Sequence, residues 1–279
     1  MSDKEYKSFW SKAGGQEGKT CRYSLRLDTY GCGCSHNCQY CYARSLLSFR
    51  KIWNPNEPKV ADIHKIEEKI KRLGKNSIVR LGGMTDCFQD CEKTRKVTLE
   101  TIRILNDYGI IYLIVTKSDL IATDEYMKIL DKNLAHIQIS VTSTKDSVSK
   151  QIENAPLPSR RIAAIEKLSG EGFDVQVRLS PYISGFLDMD RVNLIKCDKI
   201  IVEFLRANYW IKKWLQIDFS QYSHYENNYN HLPLPIKIEL LSHITGFRDV
   251  SVCEDCQGHF EYWRNHVNPN FYDCCNLRI

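Results

Sequence analysis

The sequence predicts an α/β chain: a partial (β/α)6 TIM-type barrel with a C-terminal cysteine-bearing extension. Three observations carry this. Short apolar runs rich in β-branched residues recur between residues 24 and 204. Between them lie segments whose apolar residues repeat at i, i+3 and i+4, the period of a helix packed on one face. Strands that alternate with helices build a parallel sheet. After Arg206 the alternation stops, and the chain turns aromatic, amide-rich and then cysteine-rich.

The six expected strands cover residues 24–30, 77–81, 110–115, 137–141, 175–179 and 200–204. Helical spacing is found over residues 43–49, 63–73, 92–108, 124–134, 159–168 and 189–194. Pro158 stands near the start of the fifth helix and Gly170 and Gly172 follow it, as helix boundaries favour. Residues 50–59 carry turn formers and read as a loop. Residues 1–22 are polar and read as an N-terminal extension with Phe9 and Trp10 as anchors, 23–206 as the barrel, and 207–279 as a substrate cap and auxiliary metal-binding region. Within the last, Pro233 and Pro235 introduce a helix to about residue 245, and 250–252 reads as a further strand. The aromatic stretch 207–232 is expected to lie over the open barrel face.

Composition narrows the function classes. With 279 residues and 43% apolar content the chain can bury a full core. No apolar run approaches a membrane span, and the first residues lack the apolar core of a signal peptide, so a cytoplasmic protein without a membrane partner is expected. Twelve cysteines in such a compartment point to metal ligation rather than disulfides. The net charge of +5 permits a polyanionic partner without demanding one.

The chemistry concentrates at Cys34, Cys38 and Cys41, a C-x3-C-x2-C array on one short loop after the first strand. Soft thiolates select iron–sulfur clusters or zinc over hard cations. Zinc commonly takes four protein ligands in a closed site, whereas three thiolates can hold three corners of a four-iron cluster and leave one iron open. Strand ends then supply polar groups: Gly82-Gly83-Met84-Thr85-Asp86, Thr116-Lys117-Ser118, Ser140 with Thr142, Arg178 with Ser180, and Glu203 with Arg206. In a barrel such groups converge on the C-terminal face.

The cysteine array, with Tyr40 just before its last member, resembles the radical S-adenosylmethionine (SAM) superfamily. The resemblance implies a [4Fe-4S] cluster on Cys34, Cys38 and Cys41, SAM on the open iron, reductive cleavage to a 5′-deoxyadenosyl radical, and an electron donor such as flavodoxin or ferredoxin. Over residues 24–206 the chain is similar to the spore photoproduct lyase-like branch: Tyr42, Thr85-Asp86, Thr116-Lys117, Ser140, Ala155-Pro156 before Arg160 and Arg161, and Leu179-Ser180-Pro181 match it. Carried over, Lys117 pairs with the SAM carboxylate, Tyr42, Thr85 and Ser140 bond its methionine or ribose, and Gly82 and Gly83 offer carbonyls to its amino group. Tyr40 and Arg178 complete the expected cofactor-binding set. Gly83 stands where the lyase has its hydrogen-donor cysteine. The resemblance therefore implies modification or rearrangement of a thymine-derived base in DNA, conceivably of a viral genome, rather than photoproduct repair. Cys87 and Cys91 lie nearby and read either as a replacement thiol or as buried small apolar residues.

Cys253, Cys256, Cys274 and Cys275 can supply four more thiolates, for a second iron–sulfur cluster or a structural zinc, with Cys21, Cys32 or His259 able to complete the set. Two other function classes stay open on residues alone: a radical SAM enzyme acting on a peptide or small metabolite, and a non-enzymatic zinc or iron–sulfur nucleic-acid-binding module.

Overall fold

The structure is a computed structural model that describes residues 9–14 and 17–277. Its centre is an eight-stranded sheet whose spatial order follows the chain: β1 (Trp10–Lys12), β2 (Leu25–Leu27), β3 (Ile78–Leu81), β4 (Ile111–Thr116), β5 (Ala135–Ser140), β6 (Asp174–Tyr182), β7 (Lys199–Phe204) and β8 (Asp249–Val252). From β2 to β8 every neighbour is parallel; β1 alone runs antiparallel, pairing Trp10 with Leu27. All six expected barrel strands are present, and the expected strand at 250–252 extends the sheet beside β7. The sheet is the expected partial barrel, left open between its first and last strands.

The strands form because both faces are covered. Ile114, Ile137, Ile139, Val177 and Val202 are buried in one continuous core with the helices outside, as a parallel sheet requires. The principal helices are α1 (Tyr42–Phe49), α2 (Val97–Asp107), α3 (Pro158–Gly170), α4 (Leu234–Ser242) and α5 (Gln257–His266). The expected helix over 92–108 is broken at Lys96, whose φ is +56°. The break has a local cause: the Glu92 carboxylate turns back to accept the Thr98 and Leu99 amides at 2.9 Å each, capping α2. The helix expected over 124–134 is only Asp124–Met127, preceded by a 3-10 turn, Asp119–Ala122.

Helix α5 was not visible as a periodic segment. Its Trp263 is fully buried and stacks on Phe204 of β7 at 6.3 Å. The aromatic stretch divides in two. Tyr209–Trp214 is a short helix packed beside α1, where Arg44 covers the Trp214 ring at 4.2 Å. The hairpin His224–Glu226 with Tyr229–His231 reaches the barrel mouth through Tyr229, over which the Arg206 guanidinium lies at 5.2 Å. Only part of the stretch therefore lies at the open face. Among the described residues no helix is long and apolar enough to cross a membrane.

Candidate active site

The loop after β2 is fixed by backbone crossings. Asn54 N donates to Cys32 O at 2.8 Å, and a Cβ on Gly33 would stand 1.8 Å from Asn54 O, so only glycine fits beneath that strand of chain. From the other side Gln39 N donates to Ile152 O at 2.9 Å, and Asn154 N to His36 O at 2.7 Å. The cysteine loop is thus clamped between residues 54–55 and 152–154.

Behind it lies a buried ion pair. Glu153 and Arg161 both have no side-chain exposure and form a salt bridge. Glu153 also accepts from the Tyr40 hydroxyl and, at 3.6 Å, from the Cys38 thiol. Burial pushes the Glu153 carboxyl up, but Arg161 and Lys117 outweigh it and hold the group at about 2. The Cys38 and Cys41 thiols are pushed up, chiefly by burial. Ligation must displace those protons, since the thiolate is the ligand.

The β3 turn is organised by Asp28, which the sequence showed only as a strand residue. Its Oδ1 accepts the amides of Gly83 and Met84 at 2.8 Å and of Thr85 at 3.1 Å. Gly82 has φ +84° and a Cβ there would meet Val115 O at 2.8 Å, so glycine is required. Asp86 ties the next turn, accepting Thr116 Oγ1 and Lys117 N, both at 2.7 Å, with His36 Nδ1 at 3.3 Å. The Lys117 ammonium is held by neutral acceptors, Ser180 O at 3.0 Å and Thr142 Oγ1 at 3.4 Å, and lies 5.1 Å from the Tyr40 ring. Arg178 is already paired with Glu203 at 2.6 Å. Burial pushes the Glu203 carboxyl up, yet Arg178 and Arg206 hold it at about 2.

These groups surround one cavity of about 200 Å³ at the C-terminal ends of the strands. Every residue expected for the first cluster and its cofactor lines it: Cys34, Cys38, Cys41, Tyr40, Tyr42, Gly82, Gly83, Thr85, Lys117, Ser140 and Arg178. Glu17, Tyr23, Arg80 and Arg206 line it too, although spacing gave no sign of the first three. Glu17 bridges Arg80 at 2.8 Å and Arg26 at 2.9 Å. Cys87 is fully buried in the core, and neither it nor Cys91 is among the residues that line the cavity. A second cavity of about 440 Å³ adjoins the first and shares Glu17, Tyr42, Arg206 and Asp255 with it.

The donor set fits an iron–sulfur cluster. The three loop thiols face one cavity and feel one another's charge. Around a tetrahedral zinc, with Zn–S about 2.3 Å, sulfurs would stand about 3.8 Å apart. Among the described residues, the trios whose ligand atoms all lie within 4.8 Å of one another are found elsewhere. Wider spacing is what thiolates on three separate irons need.

A family model for the radical SAM superfamily matches residues 29–197, more than half of the chain. The chain belongs to the radical SAM superfamily. No curated protein sequence matches it. Among solved structures it is similar to a spore photoproduct lyase mutant with bound AdoMet and dinucleoside spore photoproduct, at 15% identity and TM-score 0.59, covering 88% of this chain and 76% of that one. It is also similar to Streptococcus suis SuiB bound to S-adenosylmethionine, at 15% identity and TM-score 0.57, covering 85% and 52%. Native anSMEcpe with bound AdoMet matches at 11% identity and TM-score 0.52, covering 78% and 59%. At such identities the structures share the fold. As a radical SAM enzyme the chain is implied to hold a [4Fe-4S] cluster and SAM, and the cavity offers both a set of three thiols and an ammonium held by neutral acceptors.

The second thiol group differs from the expected set. Cys21 and Cys274 bring their sulfurs to 3.5 Å, Cys275 completes a trio within 4.8 Å, and Cys253 packs against the buried cluster that holds Cys274 and Cys275. Cys256, which the sequence reading groups with them, faces His224 and His259 instead. The reason is geometric: Cys256 caps the start of α5 and turns toward the hairpin, whereas Cys253 sits just past the end of β8 beside the chain terminus.

Proposed function

We propose that this radical SAM enzyme abstracts hydrogen from a nucleic-acid base and modifies or rearranges it. The observation that carries the reading is the second cavity, which opens on the first across Tyr42 and Arg206. Tyr229 lines it as an aromatic side chain, and Arg26, Lys19 and Arg206 as cations, the combination that takes a base and its phosphate. The spore photoproduct lyase neighbour, which binds a dinucleoside photoproduct, supports the same class. Gly83 has no thiol, and its added Cβ would meet Arg26 Cδ at 3.3 Å and Asp28 Oδ2 at 3.4 Å, so repair by thiol donation is disfavoured.

Cys34, Cys38 and Cys41 would hold the cluster. When bound, the cluster supplies the electron, taken from a flavodoxin- or ferredoxin-type donor, that cleaves SAM to methionine and a 5′-deoxyadenosyl radical. The rest is orientation by the protein. Lys117 would receive the SAM carboxylate in a charge-assisted pair. The Gly83 carbonyl already accepts the Tyr42 hydroxyl at 2.6 Å, and that of Gly82 accepts Arg80 Nε at 3.1 Å. Each keeps a second lone pair for the amino group. Thr85, Ser140 and Tyr40 would bound the methionine and ribose, while Arg178 would act through Glu203. Cys21, Cys253, Cys274 and Cys275 would hold a second metal, a cluster or a zinc, tying the two ends of the chain together. The work belongs in the reducing cytoplasm, where twelve free cysteines persist.

A peptide or small-metabolite substrate is the second reading. Glu17, Glu226 and Asp255 also line the second cavity, and carboxylates there would favour a cationic ligand over phosphate. The test is anaerobic turnover with SAM and a reductant, scoring 5′-deoxyadenosine with and without thymine-containing oligonucleotides. The base reading predicts stimulation that fades as salt rises, because phosphate contacts release counterions. Turnover unaffected by any oligonucleotide would overturn it.

A further inference from the structure

We infer that Cys256, His259 and His224, joined by His231, form a mononuclear metal site of zinc type that pins the 224–231 hairpin to the start of α5. The sequence placed Cys256 and His259 in one set with Cys253, Cys274 and Cys275, and neither it nor the radical SAM assignment points to the two hairpin histidines or to a separate site. The ligand atoms of His224, Cys256 and His259 all lie within 4.8 Å of one another. Those of His231, Glu254 and Cys256 do likewise, so Cys256 is common to both sets. Cys256, His231 and His259 are buried, and the His224 and His259 rings stand 4.6 Å apart.

The groups behind the imidazoles make the case. A metal-bound histidine ordinarily gives its other N–H to a carboxylate or a backbone carbonyl, which fixes the tautomer. His224 Nε2 lies 3.1 Å from Glu226 Oε2. His231 Nε2 lies 3.3 Å from Glu226 O. Both rings are thereby left with Nδ1 free. His259 Nδ1 accepts from the Lys237 ammonium at 3.1 Å and has Glu254 Oε2 at 3.8 Å, so ligation through Nε2 requires the ring proton to move to Nδ1 and turn to Glu254. His224 and His231 thus have one nitrogen directed at an acceptor and one available, and each of the three histidines shares a close trio with the single Cys256 sulfur. On the chain the set reads H-x6-H and C-x2-H, the second pair one turn apart at the start of α5.

Lys237 is the group that could oppose a cation, since its Nζ lies 3.1 Å from His259 Nδ1. It is fully buried and bonded to Glu254 Oε2 at 2.5 Å. With a thiolate at Cys256, the two negative groups, Cys256 and Glu254, offset Lys237 and part of a dication. A mixed nitrogen and sulfur set selects zinc over magnesium or calcium. The half-exposed His224 gives the ion a way in.

The experiment is a metal count on protein purified without chelator, in wild type, Cys256→Ser, His224→Gln and Cys274→Ser. The site predicts one zinc per chain fewer in both Cys256→Ser and His224→Gln than in wild type, with that zinc kept in Cys274→Ser. His224 is partly solvent-exposed, so His224→Gln keeps the test alive if Cys256→Ser does not fold. Cobalt added to the metal-stripped protein should give a thiolate-to-cobalt absorption that Cys256→Ser diminishes. Wild-type zinc content in either Cys256→Ser or His224→Gln overturns the site.

Discussion

Arg161 is the residue through which the account is most open to quantitative test. Its guanidinium and the Glu153 carboxylate have no exposure, and Glu153 stands directly behind Cys38 and Tyr40. Replacing Arg161 by Met keeps volume and removes the charge, leaving a buried carboxylate with Lys117 as its remaining cation. Two routes give the size of the effect. Holding a carboxyl at about 2 instead of 4.5 corresponds to about 3 kcal/mol. Breaking a buried pair by removing one partner costs about 3–5 kcal/mol. Arg161→Met should therefore destabilise the metal-free protein by about 3 kcal/mol or more in urea. Because residues 152–154 hold the cysteine loop through Gln39 and His36, iron uptake on reconstitution should fall as well. The double variant Arg161→Met, Glu153→Gln removes the orphaned charge and should recover most of the stability. A single variant within about 0.5 kcal/mol of wild type, or a double variant no better than the single, would refute the role given to the pair.

Other expectations are as direct. Lys117→Ala should weaken SAM binding about 10- to 150-fold, the loss of one charge-assisted contact of about 1.5–3 kcal/mol, while iron content stays at the wild-type value; equilibrium dialysis with labelled SAM reads it. Gly82→Ala should cost about 1–3 kcal/mol, since φ +84° is strained for alanine and its Cβ meets Val115 O; urea midpoints check it. Asp174 accepts from His136 at 2.5 Å and from Lys199 at 2.7 Å. Burial pushes its carboxyl up, but those partners hold it at about 2. A lowered acid stabilises the fold above its unfolded value near 3.9 and loses that contribution as pH falls toward about 2. Asp174→Asn should be less stable by about 2 kcal/mol at pH 7, with the gap closing between about pH 4 and 2; a constant gap across that range would contradict the assignment.

The barrel was legible because its strands are short apolar runs covered on both faces, so that five of the six appear in sequence as β-branched blocks; the first, Leu25–Leu27, was marked by its place before the cysteine loop. The first site was legible because its ligands are local: Cys34, Cys38 and Cys41 lie within eight residues, and the carried-over groups sit where strands end. What stayed hidden depends on distant pairings. Cys21 meets Cys274 across 253 positions: the sequence offered it only as one of three candidates, with Cys32 and His259, and no spacing rule chooses among them. Cys256 goes to histidines on a hairpin that lacks strand periodicity. Asp28 and Asp86 look like ordinary loop-edge acids until three amides and a lysine amide are found on them. The break at Lys96 follows from a buried glutamate turning back to cap α2, a local side-chain contact that outweighs helix period.

The central claim is an open iron at the barrel mouth, held through three thiolates and available to SAM. Electron paramagnetic resonance on the anaerobically reconstituted, reduced protein tests it most directly. The account predicts about four irons per chain attributable to Cys38, a reduced-cluster signal that changes when SAM is added, and loss of both that signal and 5′-deoxyadenosine in Cys38→Ala. A cluster signal indifferent to SAM, or one that survives in Cys38→Ala, would contradict it.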